Sequence, residues 1–244
     1  MEKSIIIIGA GIAGLSAGCY GQMNGYRTCI FEMHTRPGGL CTSWQRKGYT
    51  IDGCLHWLVG SGPGVNFYRI WEELGAVQGR RMVEHEEFMR IEGEGGKVFI
   101  VYTDIDRLEK HMKELTPQDT GVIEEFIKGV RTFTRFDLPI EKAPELYTPI
   151  DGLRMMFRML PFIGAMRKWQ RISIQRFADR FTDEFLRKAF PGMFLGLPDF
   201  PMIAVMSTLA WMHQKGAGFP EGGSFEFSRA IERRYLDLGG EIHY

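Results

Sequence analysis

Apolar residues in the first 31 positions are arranged as a strand, a helix and a second strand. Four consecutive isoleucines at 5–8 predict a parallel strand buried on both faces, because side-chain alternation disappears where neither face meets water. Small and apolar residues continue to Gly25, which ends the helical pattern. Residues 26–31 are typical of a second strand. This order of elements predicts an α/β fold.

The rest of the chain predicts mainly helices, with one hairpin. Two short strand-like runs flank the glycine-rich residues 93–96, a pattern typical of a β-hairpin. A final strand is predicted at 241–243. Apolar periodicity and capping residues predict helices at 66–75, 104–115, 116–133 and 201–214, and shorter helices capped by Thr182 and by Ser224.

Composition excludes several classes of function. The 244 residues are 44% apolar and 25% charged, which is ordinary for a globular protein. Thirty basic residues balance thirty acidic ones, so no broad positive field favours nucleic acid and no such partner is expected. The four cysteines form no CxxC pair and the six histidines no HxxH pair. We therefore expect free thiols and no metal site.

The turn after the first strand has the GxGxxG spacing of a dinucleotide-binding loop. Its first glycine permits a tight turn, the second admits a pyrophosphate, and the third allows close helix packing. Glu32 follows at the end of the second strand, where a carboxylate accepts hydrogen bonds from ribose hydroxyls and repels a 2′-phosphate. The predicted cofactor residues in the turn are Gly9, Ala10, Gly11, Ile12, Ala13 and Gly14.

Residues 32–40 resemble the ExxxRxGG stretch of amine oxidases and phytoene desaturases. In those families the stretch helps to hold FAD. Gly38 and Gly39 allow a second backbone segment to approach the dinucleotide, and Arg36 offers positive charge near its phosphates. The resemblance adds the following residues to the predicted FAD site: Met33, Arg36, Gly38, Gly39 and Leu40.

Residues 48–57 resemble a further segment of this family, in which a short strand ends in DxG close to the flavin ring. A histidine and an aromatic residue follow the DxG in the branch that contains retinol saturases and carotenoid isomerases, as His56 and Trp57 do in this chain. These two residues are the candidates for the environment of the ring. The alternative for His56 is a partly buried histidine without a chemical role.

The resemblance extends over the whole chain and implies its domain organisation. The fold is expected to be a Rossmann-type FAD-binding domain with an inserted α+β substrate, or cap, domain. The FAD domain should occupy residues 1–75 and 218–244, and the cap domain residues 76–217. Full-length members of the family continue well past this point, so the resemblance also implies truncation at the C-terminus.

The implied activity is that of a FAD-dependent oxidoreductase acting on a hydrophobic, unsaturated small molecule. A carotenoid-like or retinoid-like polyene would be desaturated, saturated or isomerised, with the flavin carrying the redox chemistry. One alternative is an amine-oxidase-like flavoenzyme, which shares the ExxxRxGG pattern and prefers a small amine. The other is a noncatalytic fragment that binds FAD or ADP.

Residues 153–169 are rich in methionine, phenylalanine and arginine, and are too short and too charged to span a bilayer. They fit a helix lying in a membrane interface with its basic residues near headgroups. They also fit a pair of cap-domain helices, interrupted at Pro161, whose methionines fill an adaptable pocket or core. A cytoplasmic protein is expected, with peripheral membrane contact under the first interpretation.

Overall fold

The structure, a computed structural model, describes residues 3–137, 139–140, 142–194 and 196–244. It divides into two compact units. The first unit comprises Met1–Val83 and Gly218–Tyr244, and the second comprises Glu84–Ala217. The first boundary lies at Val83 and not at residue 75, because Met82 and Val83 pair with the returning strand at Pro220 and Phe219.

The chain leaves the first unit once and returns to it after the second. It begins with β1 Ser4–Ile8, α1 Ile12–Met23, β2 Arg27–Phe31, β3 Ser43–Arg46, β4 Tyr49–Asp52, β5 Leu58–Val59, α2 Phe67–Glu73 and β6 Met82–Val83. The second unit contains β7 Glu87–Glu92, β8 Val98–Tyr102, α3 Ile105–Leu115, α4 Thr120–Phe133, α5 Pro149–Trp169, α6 Ile174–Ala178, α7 Glu184–Ala189 and α8 Met202–His213. The return consists of β9 Ala217–Pro220, α9 Gly223–Asp237 and β10 Glu241–His243.

The first unit is built on a parallel sheet in the order β1-β2-β10, with α1 and α9 packed against each other. Tyr235 of α9 is fully buried, and its hydroxyl accepts a hydrogen bond from Thr28 of β2 at 2.9 Å. The same hydroxyl donates to the Glu241 carbonyl at 3.2 Å. The predicted α/β arrangement of the first strands and helix is confirmed.

The prediction that residues 5–8 are buried on both faces is wrong for this chain. The side chains of Ile7 and Ile5 lie next to Gly14 and Gly21 of α1, whereas Ile6 and Ile8 are 70% and 83% exposed. Phe31 of β2 pairs with Ile8 in the parallel register and is exposed on the same face of the sheet. The helices of the first unit therefore cover one face of the sheet.

The second unit is mainly helical and carries the predicted hairpin. Strands β7 and β8 pair antiparallel, with Glu92 opposite Val98. Asp104 caps α3 as predicted, since its carboxylate accepts a hydrogen bond from the Arg107 amide at 2.8 Å. The core is a cluster of fully buried aromatic rings from four segments, namely Phe99, Phe126, Phe177, Phe181 and Phe190.

Two local predictions in the second unit are wrong. Pro161 lies inside α5, which continues from Pro149 to Trp169. Proline has no backbone N–H, so the Phe157 carbonyl loses its partner in the helix. Phe157 is exposed, and water can bind this carbonyl instead. The cap of α7 is Asp183 and not Thr182, since the Asp183 carboxylate accepts from the Leu186 amide at 2.7 Å.

No helix within the described ranges is long and apolar enough to cross a membrane.

Candidate functional site

The glycine-rich turn between β1 and α1 leaves the start of the helix uncovered by side chains. Gly9 has φ +98°, and its amide donates to the Phe31 carbonyl at 2.7 Å. A Cβ on Gly14 would overlap the Gly9 carbonyl oxygen, so α1 can approach the turn only with glycine there. Gly11 precedes α1 and no side chain caps the helix. The first amides of α1 can therefore receive an anion.

A second glycine segment lies directly against this turn. The Gly38 amide donates to the Ala10 carbonyl at 2.8 Å, and Gly11 and Gly38 form a parallel bridge. Gly38 has φ +112°, and a Cβ there would overlap the Cys41 carbonyl oxygen. A Cβ on Gly39 would lie 3.3 Å from the Gly11 Cα. Both segments thus present bare backbone at one place.

Glu32 is held by the turn itself. Its carboxylate accepts a hydrogen bond from the His34 amide at 2.8 Å and another from the Ala10 amide at 2.6 Å. These backbone donors, that of His34 most strongly, lower the pKa of Glu32 below its ordinary value. The carboxylate is therefore ionised and fixed, and each oxygen keeps a lone pair for a further donor.

The remaining predicted cofactor residues differ widely in exposure. Ala10 is fully buried and its amide is bonded to Glu32, so it offers the site no atom of its own. Met33 and Leu40 are fully exposed. The Arg36 guanidinium lies 5.4 Å from the centre of the Phe225 ring, a cation–π contact that orients its charge. Ile12 is partly buried and Ala13 is exposed.

The segment with the DxG pattern is anchored to α9. Asp52 accepts hydrogen bonds from the backbone amide and the hydroxyl of Ser224, both at 2.5 Å. The predicted role of Ser224 as the cap of this helix is wrong, because Gly222 precedes the helix and the Asp52 carboxylate binds its first turn. His56 is exposed and its ring centre lies 6.0 Å from that of the partly buried Trp57.

Two groupings join distant parts of the chain and were not predicted from the sequence. One is the contact of Asp52 with Ser224. The other is Cys29, Glu241 and His243, whose ligand atoms lie within 4.8 Å of one another and which form the one such group in the described part of the chain. They stand on neighbouring strands β2 and β10, and Glu241 is also paired with Arg27 at 3.4 Å. No local spacing marks either grouping.

Several known proteins resemble this chain in sequence. Residues 7–74 match the family model of an NAD(P)-binding Rossmann-like domain. A lycopene-forming phytoene desaturase of Pantoea ananas is 27% identical over 98% of this chain and 48% of its own length. An inactive all-trans-retinol 13,14-reductase of Danio rerio is 27% identical over 98% of this chain and 40% of its own length.

The chain is related to the phytoene desaturases and retinol reductases. It spans about half of the length of the curated relatives it matches. A solved oxidoreductase from Methanosarcina mazei superposes with a TM-score of 0.57 at 22% identity, covering 98% of this chain and 50% of that one. Putrescine oxidase superposes with a TM-score of 0.53 at 15% identity, covering 100% and 51%. These structures share its fold, and residues 7–74 carry the dinucleotide-binding domain.

Proposed function

We propose that this chain forms the FAD-binding part of an oxidoreductase that acts on a hydrophobic, unsaturated small molecule. The observation that carries the proposal is that both Glu32 and Gly38 are hydrogen-bonded to Ala10 of the glycine turn. The relatedness to phytoene desaturases and retinol reductases supports the redox class and the substrate class. The activity is proposed for a whole protein of the length of those relatives.

The residues present fit the adenosine half of FAD. Glu32 would accept the ribose hydroxyls with the lone pairs that its two backbone donors leave available. The pyrophosphate would approach the bare backbone at Gly11 and the uncapped start of α1. Arg36 would add positive charge on the side of the second glycine segment. The ionised Glu32 would exclude a 2′-phosphate by charge repulsion.

The flavin, when bound, supplies hydride acceptance or donation at its ring. The contribution of this chain near the ring would be to orient it. Asp52, fixed by Ser224, holds the backbone that leads to His56 and Trp57. His56 is exposed and therefore able to face a ligand, and Trp57 offers an apolar wall.

Removal of the Glu32 carboxylate is expected to weaken FAD binding by about 10- to 100-fold, the equivalent of losing one or two charge-assisted hydrogen bonds. The variants are Glu32→Ala and Glu32→Gln, and affinity is measured by the change in flavin fluorescence on titration. Gln keeps one acceptor oxygen but turns its amide towards a backbone donor. The loss of FAD affinity in Glu32→Gln should therefore be smaller than that in Glu32→Ala.

Gly64→Ala is the matched control, because a Cβ at Gly64 meets open space in the same unit. Its FAD affinity should equal that of the parent chain. ADP should compete with FAD and 2′-phosphorylated adenosine should not, since Glu32 is anionic. Unchanged FAD affinity in both Glu32 variants would remove the basis of the proposal.

The pH dependence of FAD binding follows from the lowered pKa of Glu32. The carboxylate stays ionised below the ordinary value of 4.5, so its bonds are present above that pH and are lost as the pH falls through the lower folded-state pKa. We expect the affinity ratio of the parent chain to Glu32→Gln to stay constant between about pH 7 and pH 5. A ratio that already declines near pH 6 would contradict this assignment.

Two other functions have specific support. The superposition with putrescine oxidase favours an amine substrate, and the inactive retinol reductase relative favours a noncatalytic nucleotide-binding role. Anaerobic reduction of protein-bound flavin separates the three. Bleaching of oxidised flavin by a polyene, or return of the absorbance when a polyene or retinoid is added to reduced flavin, supports the main proposal. Bleaching by small amines supports the second. Tight FAD binding with neither change supports the third.

A further inference from the structure

Three side chains with metal-binding atoms come together on the sheet of the first unit. The parallel register pairs Glu241 of β10 directly with Cys29 of β2, which is a free cysteine. His243 follows two positions after Glu241, and side chains two positions apart on a strand lie on the same face of the sheet. The thiol sulfur, the carboxylate oxygen and the imidazole nitrogen all lie within 4.8 Å of one another. The pairing of two strands from opposite ends of the chain therefore creates the group.

The group stands on the face of the sheet that α1 and α9 leave uncovered. Ile242, between its two members on β10, packs against the buried core of the opposite face. The side chains of His243 and Glu241 are 57% and 54% exposed, so an ion in solution can reach them. The His243 ring stacks on the exposed Phe31 ring, with centres 5.0 Å apart and an interplanar angle of 18°. This contact orients the imidazole beside the carboxylate.

The two carboxylate oxygens of Glu241 have different neighbours. Oε1 accepts a hydrogen bond from the Arg27 guanidinium at 3.4 Å, a long and exposed contact of the kind that contributes little stability. Oε2 lies 4.0 Å from Nε2 of His243. An oxygen and a nitrogen bound to the same tetrahedral zinc ion lie roughly 3.4 Å apart, so small rotations of exposed side chains suffice to bind the ion. The oxygen that faces His243 is the one that Arg27 does not hold.

We propose that Cys29, Glu241 and His243 bind a zinc ion. Thiolate, carboxylate and imidazole are the ligands that zinc takes in proteins, and three of them leave a fourth position for water. The sulfur and the nitrogen disfavour Mg²⁺ and Ca²⁺, which prefer oxygen ligands. On binding, the Cys29 thiol releases its proton to solvent. The ion holds the short strand β10 onto β2, a role that goes beyond the proposed FAD chemistry.

Metal titration of the chain without FAD tests the proposal. Competition with a chromophoric chelator gives the Zn²⁺ affinity, and Co²⁺ in place of Zn²⁺ reports a thiolate ligand through its charge-transfer absorbance in the near ultraviolet. The parent chain should bind Zn²⁺, show this band with Co²⁺ and not respond to Mg²⁺. Cys29→Ser should abolish the band, and Cys29→Ser and His243→Ala should each weaken Zn²⁺ binding about tenfold or more.

Two further variants test the neighbours of the site. Arg27→Gln should strengthen Zn²⁺ binding roughly two- to fivefold, because it removes a positive charge and the competing contact with Glu241. Glu241→Gln should weaken binding, and its exposed position keeps the test available if Cys29→Ser does not fold. His85→Ala is the matched control, because His85 is an exposed histidine outside the group.

Three results would overturn the proposal. In the first, the parent chain binds no Zn²⁺. In the second, the cobalt band persists in Cys29→Ser, which would place the metal at another thiol. In the third, Cys29→Ser, His243→Ala and Glu241→Gln bind Zn²⁺ as tightly as the control. Because the titration contains no FAD, its outcome is independent of the FAD proposal.

Discussion

Gly14→Ala is expected to destabilise the first unit strongly, whereas Gly11→Ala should leave its stability unchanged and weaken dinucleotide binding. The added Cβ at position 14 would overlap the Gly9 carbonyl oxygen and lie 3.3 Å from a methyl carbon of Ile7. Neither the turn backbone nor β1 can move away without breaking the parallel sheet. We expect a loss of about 3 kcal/mol and a fall in Tm on the order of 10 °C.

At position 11 the same methyl group meets only the Gly39 Cα, at an ordinary distance of 4.0 Å. The fold should tolerate it, but it would stand where a pyrophosphate approaches the start of α1. Thermal unfolding followed by circular dichroism gives the Tm, and FAD titration gives the affinity. The pair separates a packing role from a binding role.

Equal Tm values for the parent chain and Gly14→Ala would contradict the packing role of Gly14. A Gly11→Ala variant with the parent Tm and the parent FAD affinity would contradict a pyrophosphate position at the turn. Each outcome addresses one glycine, so the two roles fail independently of each other.

Asp119→Ala is expected to destabilise the second unit by roughly 2–4 kcal/mol, because the buried Thr116 hydroxyl and three part-buried donors would lose their acceptor. The Asp119 side chain is buried and accepts hydrogen bonds from the hydroxyl of Thr116 at 2.6 Å, from the hydroxyl and amide of Thr182 at 2.7 and 2.8 Å, and from the amide of Asp183 at 3.0 Å. It therefore ties the start of α4 to the segment that precedes α7.

Burial by itself would raise the pKa of Asp119, but the hydrogen bonds from Thr116, Thr182 and Asp183 outweigh burial and lower that pKa. The stabilisation is accordingly complete above the ordinary pKa of 3.8 and is lost as the pH falls through the folded-state pKa. Urea unfolding at neutral pH measures the full effect.

Asp106→Ala is the control for charge removal, because Asp106 is largely exposed and its ion pair with Arg131 lies at the surface. Such a pair contributes about 0–1 kcal/mol. Asp119→Asn keeps the shape of the side chain but turns an amide towards backbone donors. Its loss of stability should lie between those of Asp119→Ala and Asp106→Ala. If Asp119→Ala costs no more stability than Asp106→Ala, the hydrogen bonds to Asp119 do not hold the unit together.

Several elements of the fold and site were predictable because their signals are local. The turn at residues 9–14 needs glycine at fixed positions, and Glu32 is placed by the length of α1 and β2. The cap of α3 was predictable because aspartate is a preferred capping residue, as at Asp104. The hairpin of β7 and β8 was predictable because glycine-rich residues separate its strands.

Other predictions failed where a distant partner decides the outcome. Ser224 has the identity of a helix cap, but Asp52 occupies that place from β4. Thr182 likewise yields its capping role to Asp183 and donates to Asp119. Local preference identifies residues that are able to cap a helix. Tertiary packing determines which side chain binds the first turn of that helix.

The sequence by itself determined the Rossmann-like start of the chain, the dinucleotide loop and the relatedness that those motifs carry, because each depends on backbone geometry over a few residues. Only the tertiary structure decided that Glu32 is fixed by two backbone amides and that Ile6 and Ile8 face solvent. It also decided that Leu153 and Phe157 of α5 are exposed. Burial and hydrogen-bond partners are properties of segments brought together in space, and hydrophobic periodicity reveals a face without revealing what that face meets.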